Sequence, residues 1–257
     1  MPAPPEVIIA ATEAELAEDV AGRVVATLTA AQAARGYATV ALTGGGILEA
    51  VFGALADHPA RSAVDWTRVD VYWGDERFVP TGSTDRNDKP ALDLLAPLAL
   101  DPARVHPMPA SDGPDGSDVD AAAARYAALL AAKADPGHRN AEDVVAFDVA
   151  LIGIGPDGHC CSLFPDQPGP RERTKSVVGV RNSPKPPPER LSLTFRALEA
   201  ADEVWVIASG DGKAAAVAQA LGGADPVHVP SAGARGHNRT LWLLDRDAAA
   251  QLPSSAP

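Results

Sequence analysis

The segment Phe147–Asp166, FDVALIGIGPDGHCCSLFPD, joins an apolar run to a turn that cannot continue it. Its first part, Phe147–Ile154, is rich in Val, Ile and Leu, which is typical of a strand buried on both faces. Gly155–Gly158, GPDG, then ends the strand, and His159 follows at once. Ligands of open α/β sheets bind outside the carboxyl ends of the strands. The segment therefore predicts both a buried parallel strand and the place where chemistry occurs.

Strands and helices alternate along the rest of the chain. The predicted strands are Val7–Ile9, Ala38–Leu42, Val69–Trp73, Phe147–Ile154, Val177–Val180, Leu191–Leu193, Glu203–Ala208 and Thr240–Leu244. The predicted helices are Thr12–Arg35, Ile47–Leu55, Ala91–Leu95, Val119–Lys133, Phe195–Ala200, capped by Thr194, Lys213–Leu221, and a closing helix capped by Asp245. Pro102–Ser117 is expected to be irregular. This alternation predicts an α/β fold, a doubly wound, mostly parallel sheet with helices on both faces. Since no linker or repeat is visible, we expect one domain, residues 1–257.

Composition limits the function classes. The net charge of −12 argues against nucleic acid and anionic membranes as partners. The two cysteines, Cys160 and Cys161, are adjacent, so they supply neither a disulfide framework nor a zinc site. The N-terminus has no signal-peptide pattern, and no stretch reaches the roughly 18 apolar residues of a membrane span. We expect a cytoplasmic protein.

Three consecutive glycines, Gly44, Gly45 and Gly46, lie between the predicted strand Ala38–Leu42 and the predicted helix Ile47–Leu55. Glycines let the backbone approach a ligand, and N–H groups at a helix N-terminus bind anions. The alternative is a tight turn that binds nothing, and this stretch alone does not decide between them.

Residues 153–158 match G-x-G-x-x-G, the dinucleotide-binding pattern. That pattern requires a following helix and an acidic residue about 20 positions later. Here Pro156 and Pro165 interrupt the region, and Val177–Val180 supplies no acid. We therefore reject a nicotinamide cofactor.

His159 and Asp157 leave the turn together. An imidazole titrates near neutrality and serves as a general base when it faces a substrate. The alternative is a structural histidine, but its place after a strand and a Gly/Pro turn favours catalysis. His159, Cys160 and Cys161 are contiguous and lack the spacing of metal ligands.

Further charged residues lie in loops. Asp75 and Arg77 follow a predicted strand, where a carboxylate orients a hydroxyl or base and a guanidinium binds an oxyanion. Lys185, Arg190 and Lys213 come from two other loops. Each of these residues alone is as well explained by solvated surface charge. Together, in an acidic chain, they indicate a small cationic pocket for an anionic ligand.

Four segments, in this order, resemble the 6-phosphogluconolactonase family. They are WGDERFVP at 73–80, GIGPDGH at 153–159, SLFP at 162–165 and SPKPPPER at 183–190. The shorter matches GKA at 212–214 and WLLD at 242–245 extend the resemblance over almost the whole chain. The WGDERFVP and GPDGHxxSLFP blocks are specific, whereas the glycine loop alone is not.

The resemblance implies a cytoplasmic hydrolase of the pentose phosphate pathway that opens 6-phosphoglucono-δ-lactone to 6-phosphogluconate. It implies no metal or organic cofactor and, as partner, only the sugar-phosphate lactone; we expect a monomer or small homo-oligomer. By resemblance His159 is the general base, and our own hypothesis is that Asp157 or Asp75 orients the imidazole or the sugar. The residues implied around the phosphorylated substrate are Gly44, Gly45, Gly46, Arg77, Lys185, Arg190 and Lys213.

Two departures from the family pattern stand out. Residues 44–48 read GGGIL where the family usually has GGSTP, so phosphate binding would rest more on backbone N–H groups and basic residues. Residues 159–162 read HCCS where the family usually has HTAS. Two other functions stay open: a glucosamine-6-phosphate deaminase, which resembles the family in fold, and a sugar-phosphate sensor that binds without turnover.

Overall fold

The computed structural model describes residues 4–135, 137–138 and 143–253. Its strands are β1 Glu6–Ala10, β2 Ala38–Leu42, β3 Val69–Trp73, β4 Asp75–Arg77, β5 Val105–His106, β6 Val149–Gly153, β7 Val177–Val180, β8 Arg190–Leu193, β9 Glu203–Ala208 and β10 Arg239–Asp245. Its α-helices are α1 Glu13–Arg35, α2 Gly46–Asp57, α3 Asp88–Leu95, α4 Val119–Ala132, α5 Phe195–Glu199 and α6 Ala214–Leu221. None of these helices has both the length and the apolar character needed to cross a membrane.

Seven strands form one parallel sheet in the order β1-β10-β9-β6-β2-β3-β5. Strands β2 and β3 are buried at every position, as expected for apolar runs with helices packed over them. The predicted α/β class with a mostly parallel sheet is confirmed.

The chain reverses its winding direction between β2 and β6. From β2 it proceeds to β3 and β5, whereas from β6 it proceeds the other way to β9 and β10. Thr43, at the end of β2, ties the two strands together: its Oγ1 donates to the carbonyl of Leu151 at 3.1 Å and accepts from Gly153 N at 3.0 Å. Such a reversal opens a crevice at the carboxyl edge, which is where open α/β sheets bind ligands.

A second sheet borders this edge. Strands β4, β8 and β7 pair antiparallel in that order. Strands β7 and β8 confirm the predicted strands Val177–Val180 and Leu191–Leu193, whereas the strand at residues 75–77 has no counterpart among the predicted strands. Gly74 links the two sheets, since its N–H donates to the carbonyl of Leu42 and its carbonyl accepts from Leu193 N. A Cβ at Gly74 would lie 2.7 Å from Cγ2 of Thr43, so this close approach requires glycine.

The first helix forms as predicted. The side chain of Thr12 accepts from Glu15 N, and Gly36 ends α1 in the left-handed conformation at φ 81°. The buried side chains of α1 recur every three or four residues, and burying each leucine among them contributes about 1.5–3 kcal/mol. This stripe packs against α2 and the sheet.

Three local predictions were wrong. Val105–His106 forms a short strand beside β3 within a region expected to be irregular. The residues after Asp245 form turns in place of a closing helix, although the Asp245 carboxylate accepts from Ala248 N as a helix cap would. Thr194 precedes a short helix, but its hydroxyl donates to the carbonyl of Lys175 and leaves the helix uncapped.

Candidate active site

A cleft of about 520 Å³ opens at the carboxyl edge where β2 and β6 diverge. It is bounded by the residues that follow β2, β6 and β9, by β4, and by the Pro-rich loop before β8. The predicted site residues that line it are Gly44, Gly45, Gly46, Asp75, Arg77, His159, Lys185, Arg190 and Lys213. A second cavity of about 570 Å³, between α4 and β7, contains none of them.

The imidazole of His159 is paired with a carboxylate. Its Nδ1 lies 2.5 Å from Oδ1 of Asp157, and its ring lies against Phe164 with the ring centroids 4.7 Å apart. The GPDG turn makes the pair possible, since a Cβ at Gly155 would lie 1.9 Å from His159 Nδ1. The turn closes on itself through the Gly155 N–H, which donates to the carbonyl of His159 at 2.9 Å.

Asp157 is held in its ionised form. Burial acts to raise the pKa of Asp157, but the hydrogen bond with His159 and the positive charge of Lys185 outweigh it and hold that pKa well below its usual range. The ammonium of Lys185 lies 3.7 Å from the carboxylate. An anionic partner at Nδ1 leaves Nε2 as the imidazole atom that can take up a proton.

Asp75 occupies a different place from Asp157. Its side chain is buried, and its Oδ2 accepts a hydrogen bond from the Ser162 hydroxyl at 2.7 Å. Ser162 comes three residues after His159, so this bond connects β4 to the segment that follows His159. The structure thus brings Asp157 to the imidazole and Asp75 to the segment behind it.

Four cationic side chains line the cleft: Arg77, Lys185, Arg190 and Lys213. Arg77 donates from one terminal nitrogen to the carbonyl of Asp85, and its buried Nε has no hydrogen-bond partner among the described residues. Lys213, just before α6, donates to the carbonyl of Ile154 at 2.8 Å. Burial, reinforced by the charge of Lys185, lowers the pKa of Lys213. Desolvated cations of this kind attract an anionic group strongly.

Arg190 makes its hydrogen bonds to backbone carbonyls of its own loop. It is 3% exposed, and its guanidinium donates to the carbonyls of Lys185, Pro186 and Pro187. These bonds fold the Pro-rich loop back over the cleft and so position Lys185. The guanidinium carbon also lies 5.7 Å from the centre of the Phe164 ring, the ring that packs on His159.

The glycine loop leads into α2. Gly45 adopts φ 123°, which strongly favours glycine, and α2 begins at Gly46 without a side-chain cap. The first N–H groups of a helix lack intrahelical partners. They are therefore available to an anion in the cleft.

Asn87 and Glu76 are not among the site residues predicted from the sequence. Asn87 lines the cleft, and its side-chain NH₂ donates to the carbonyl of Asp75. Glu76 is fully buried beneath it. Asn87 directly precedes α3, a position at which asparagine is normally explained as a helix cap, so no sequence signal marked it as a cleft residue.

The two cysteines are free and buried. Cys161 lines the cleft with φ 50°, whereas Cys160 is enclosed in the core. Burial raises the pKa of both thiols above the ordinary value, which keeps them protonated and poorly nucleophilic.

The fold and the cleft place the protein in a known class. Residues 11–242 match the family described as glucosamine-6-phosphate isomerases/6-phosphogluconolactonase, and the chain belongs to this family. The resemblance predicted from the four sequence segments is thereby confirmed.

Within that family the similar sequences are 6-phosphogluconolactonases. The protein of that name from Streptomyces coelicolor is 53% identical over 98% of this chain and 96% of its own. The one from Mycobacterium tuberculosis is 51% identical over 90% of this chain and 92% of its own. The solved structure of 6-phosphogluconolactonase from Trypanosoma brucei is 27% identical, with a TM-score of 0.83 over 97% of this chain and 99% of that one. A monomeric glucosamine-6-phosphate deaminase, 20% identical with a TM-score of 0.76 over 96% of this chain and 99% of that one, shares the fold.

Proposed function

We propose that the protein hydrolyses 6-phospho-D-glucono-1,5-lactone to 6-phospho-D-gluconate, the lactone-opening step of the oxidative pentose phosphate pathway. The observation that carries the proposal is the His159–Asp157 pair, whose imidazole lines a cleft that is also lined by Arg77, Lys185 and Lys213. A general base beside a set of cations suits a substrate that carries a neutral, hydrolysable carbonyl at one end and a phosphate group at the other. The names of the similar sequences support the same reaction.

In the first step, Nε2 of His159 takes a proton from a water molecule whose oxygen attacks the lactone carbonyl carbon. Asp157, bonded to Nδ1, fixes the tautomer that leaves Nε2 unprotonated and stabilises the imidazolium that forms. The carbonyl oxygen becomes an oxyanion, which a backbone N–H or a nearby cation of the cleft stabilises.

In the second step, the bond between the carbonyl carbon and the ring oxygen breaks. The ring oxygen receives the proton from His159 and becomes the hydroxyl of the open-chain product, and the new carboxylic acid then ionises. The chain has no G-x-S-x-G sequence, the nucleophile motif of α/β-hydrolases. Direct attack by water is therefore preferred to an acyl-enzyme.

The phosphate is bound away from the reacting carbon. The uncapped start of α2 at Gly44–Gly46 supplies N–H donors, and Arg77, Lys185 and Lys213 supply charge. Arg190 contributes by holding the loop that carries Lys185. Binding energy from this remote group places the carbonyl beside His159 and so lowers the barrier to reaction.

The test of this proposal is an assay of both family reactions on one preparation. We expect lactone hydrolysis well above the spontaneous rate and no ammonia release from glucosamine 6-phosphate. Ammonia release without lactone hydrolysis would overturn the proposal in favour of the deaminase. Saturable binding of 6-phosphogluconate with neither activity would favour a sugar-phosphate sensor. We further propose that the enzyme is cytoplasmic and acts without a metal or organic cofactor.

A further inference from the structure

Asn87 lies between two parts of the cleft that come from different strands. Its side chain is 7% exposed, and its NH₂ donates to the carbonyl of Asp75 on β4 at 3.1 Å. Its Oδ1 lies against Gly44, where a Cβ would come within 2.1 Å of that oxygen. The amide thus touches the glycine loop on one side and β4 on the other.

The backbone at Asn87 is fixed by a buried carboxylate. Oε1 of Glu76 accepts from the N–H groups of Asn87 and Arg77, both at 2.7 Å, and Oε2 accepts from Asp88 N at 2.9 Å. Glu76 is 0% exposed, and its nearest cation is Arg86, whose guanidinium lies 3.6 Å away. One side chain thereby joins β4 to the first residue of α3.

Arg86 completes the arrangement from the other side. It is 3% exposed, makes a two-pronged contact with Asp88, and donates to the carbonyl of Met108 at 2.8 Å. These directed hydrogen bonds between mostly buried groups restrict the geometry of the network, in which Nη1 of Arg86 has no partner among the described residues. That geometry places the Asn87 amide at the cleft.

We propose that Asn87 is a positioning residue of the cleft, held by Glu76, whose amide sets the distance between the glycine loop Gly44–Gly46 and the strand that carries Asp75 and Arg77. This inference rests on the proposed function insofar as the glycine loop binds the phosphate of the substrate. A shift of about 1 Å between a binding group and the reacting centre costs about a hundredfold in rate.

The contact between Asn87 and Gly44 allows a double-mutant test. Gly44 does not have a positive φ, so Gly44→Ala introduces a clash with Asn87 without forcing the backbone into a disfavoured conformation. Asn87→Ala removes the atoms that the new methyl group would strike. Gly53→Ala is the matched control, because Gly53 lies in α2 with open space where a Cβ would be.

The primary readout is the affinity of inorganic phosphate, followed through the amide resonances of Gly45 and Gly46. We expect Gly44→Ala and Asn87→Ala each to weaken phosphate binding by about five- to tenfold. We expect the double variant to bind as Asn87→Ala does, because the clash then has no partner. Gly53→Ala should bind as the wild type does.

Unchanged phosphate affinity in Asn87→Ala, or losses that multiply in the double variant, would overturn the inference. So would a wild type whose Gly45 and Gly46 resonances show no saturable response to phosphate. Kinetic measurements on the lactone distinguish failure of this inference from failure of the proposed function. A protein that binds phosphate as predicted but does not hydrolyse the lactone would contradict the proposed function and leave the role of Asn87 intact. In an active enzyme, Asn87→Ala should raise KM more than it lowers kcat.

A second variant tests the part played by Glu76. Glu76→Gln turns one acceptor oxygen into an NH₂ group that faces Asp88 N, so the backbone before α3 must shift. We expect phosphate affinity to fall in the same direction as in Asn87→Ala, whereas Glu18→Gln, at an exposed position on α1 that does not line the cleft, is the control and should bind phosphate as the wild type does. Wild-type phosphate affinity in Glu76→Gln would contradict this part of the inference.

Discussion

Nδ1 of His159 lies 2.5 Å from Oδ1 of Asp157, across a turn in which Gly155 leaves room for both side chains. The two residues are separated by a single glycine in sequence, so one tight turn creates the whole base–carboxylate pair. Because Nδ1 faces Asp157, the protein itself orients the imidazole, and under the proposed mechanism Nε2 is the atom that takes up the proton.

Replacing Asp157 with asparagine tests the pair. Asp157→Asn keeps the shape but removes the charge that stabilises the imidazolium, so we expect kcat to fall by about a hundredfold with little change in KM. Steady-state kinetics against the spontaneous background measure this. Since Asp75 bonds Ser162, Asp75→Asn should not reproduce the same selective loss of kcat. A larger kcat loss in Asp75→Asn than in Asp157→Asn would identify Asp75 as the carboxylate that assists the base.

Gly155→Ala tests whether the His159–Asp157 pair needs the space that the missing side chain of Gly155 leaves. The new methyl group would lie 1.9 Å from His159 Nδ1 and 2.2 Å from Asp157 Oδ1, so the imidazole must move. We expect kcat to fall by at least about tenfold, because base catalysis depends on this alignment. Gly82→Ala, with open space around it, is the control and should behave as wild type. Equal activity of the two variants would show that the turn does not determine the orientation of the His159 imidazole.

The lowered pKa of Lys213 predicts how binding of the product depends on pH. Its pKa is lowered by burial and by the charge of Lys185, so it loses its proton at a lower pH than an ordinary lysine. Loss of that charge removes an attraction for phosphate, and inhibition by 6-phosphogluconate should weaken as the pH rises towards that lowered pKa. Lys213→Arg should stay charged and flatten this dependence. The same dependence in both proteins would rule out Lys213 as its source.

Glu76 makes stability depend on pH. Burial raises the pKa of Glu76 from 4.5 to about 7, against the opposing effects of Arg86 and the backbone N–H of Asn87. The folded protein then retains a proton that the unfolded chain releases, so this residue's contribution to stability falls as the pH rises from 4.5 to 7. The difference in unfolding free energy between wild type and Glu76→Gln should decrease by about 3 kcal/mol across that interval. Urea denaturation at several pH values measures it, and a constant difference would contradict the raised pKa.

Much of the main sheet could be predicted because its strands are local apolar runs. β2 and β3 end where the sequence places Gly and Thr, and α1 is delimited by its own Thr12 cap and Gly36. Two strands of the second sheet, β7 and β8, could be predicted, but β4 could not, since residues 75–77 are charged and become a strand only by pairing with β8. The residues after Asp245 form turns although its carboxylate accepts from Ala248 N as a cap would, so a local capping signal did not by itself establish a helix.

The site residues likewise divide into those that could be predicted from the sequence and those that could not. His159, Asp157 and the glycine loop each follow a strand in sequence, so their common edge follows from parallel topology alone. Asn87 and Glu76 act through bonds between residues 11 or 12 positions apart, within a loop that has no distinguishing pattern. Arg190 looked like a ligand for phosphate, yet its direct bonds go to three carbonyls of its own loop. Such roles depend on tertiary contacts, which a single sequence does not display.

The most direct test of the account is the rate of 6-phosphogluconolactone hydrolysis by wild type and His159→Ala, measured against the spontaneous reaction. His159 is partly exposed at the cleft, so thermal unfolding should confirm that the variant remains folded. We predict a fall in kcat of about 10²–10⁴-fold with phosphate affinity retained, because the base is removed and the anion site is not. Turnover by folded His159→Ala close to that of the wild type would contradict the assignment of His159 as the general base.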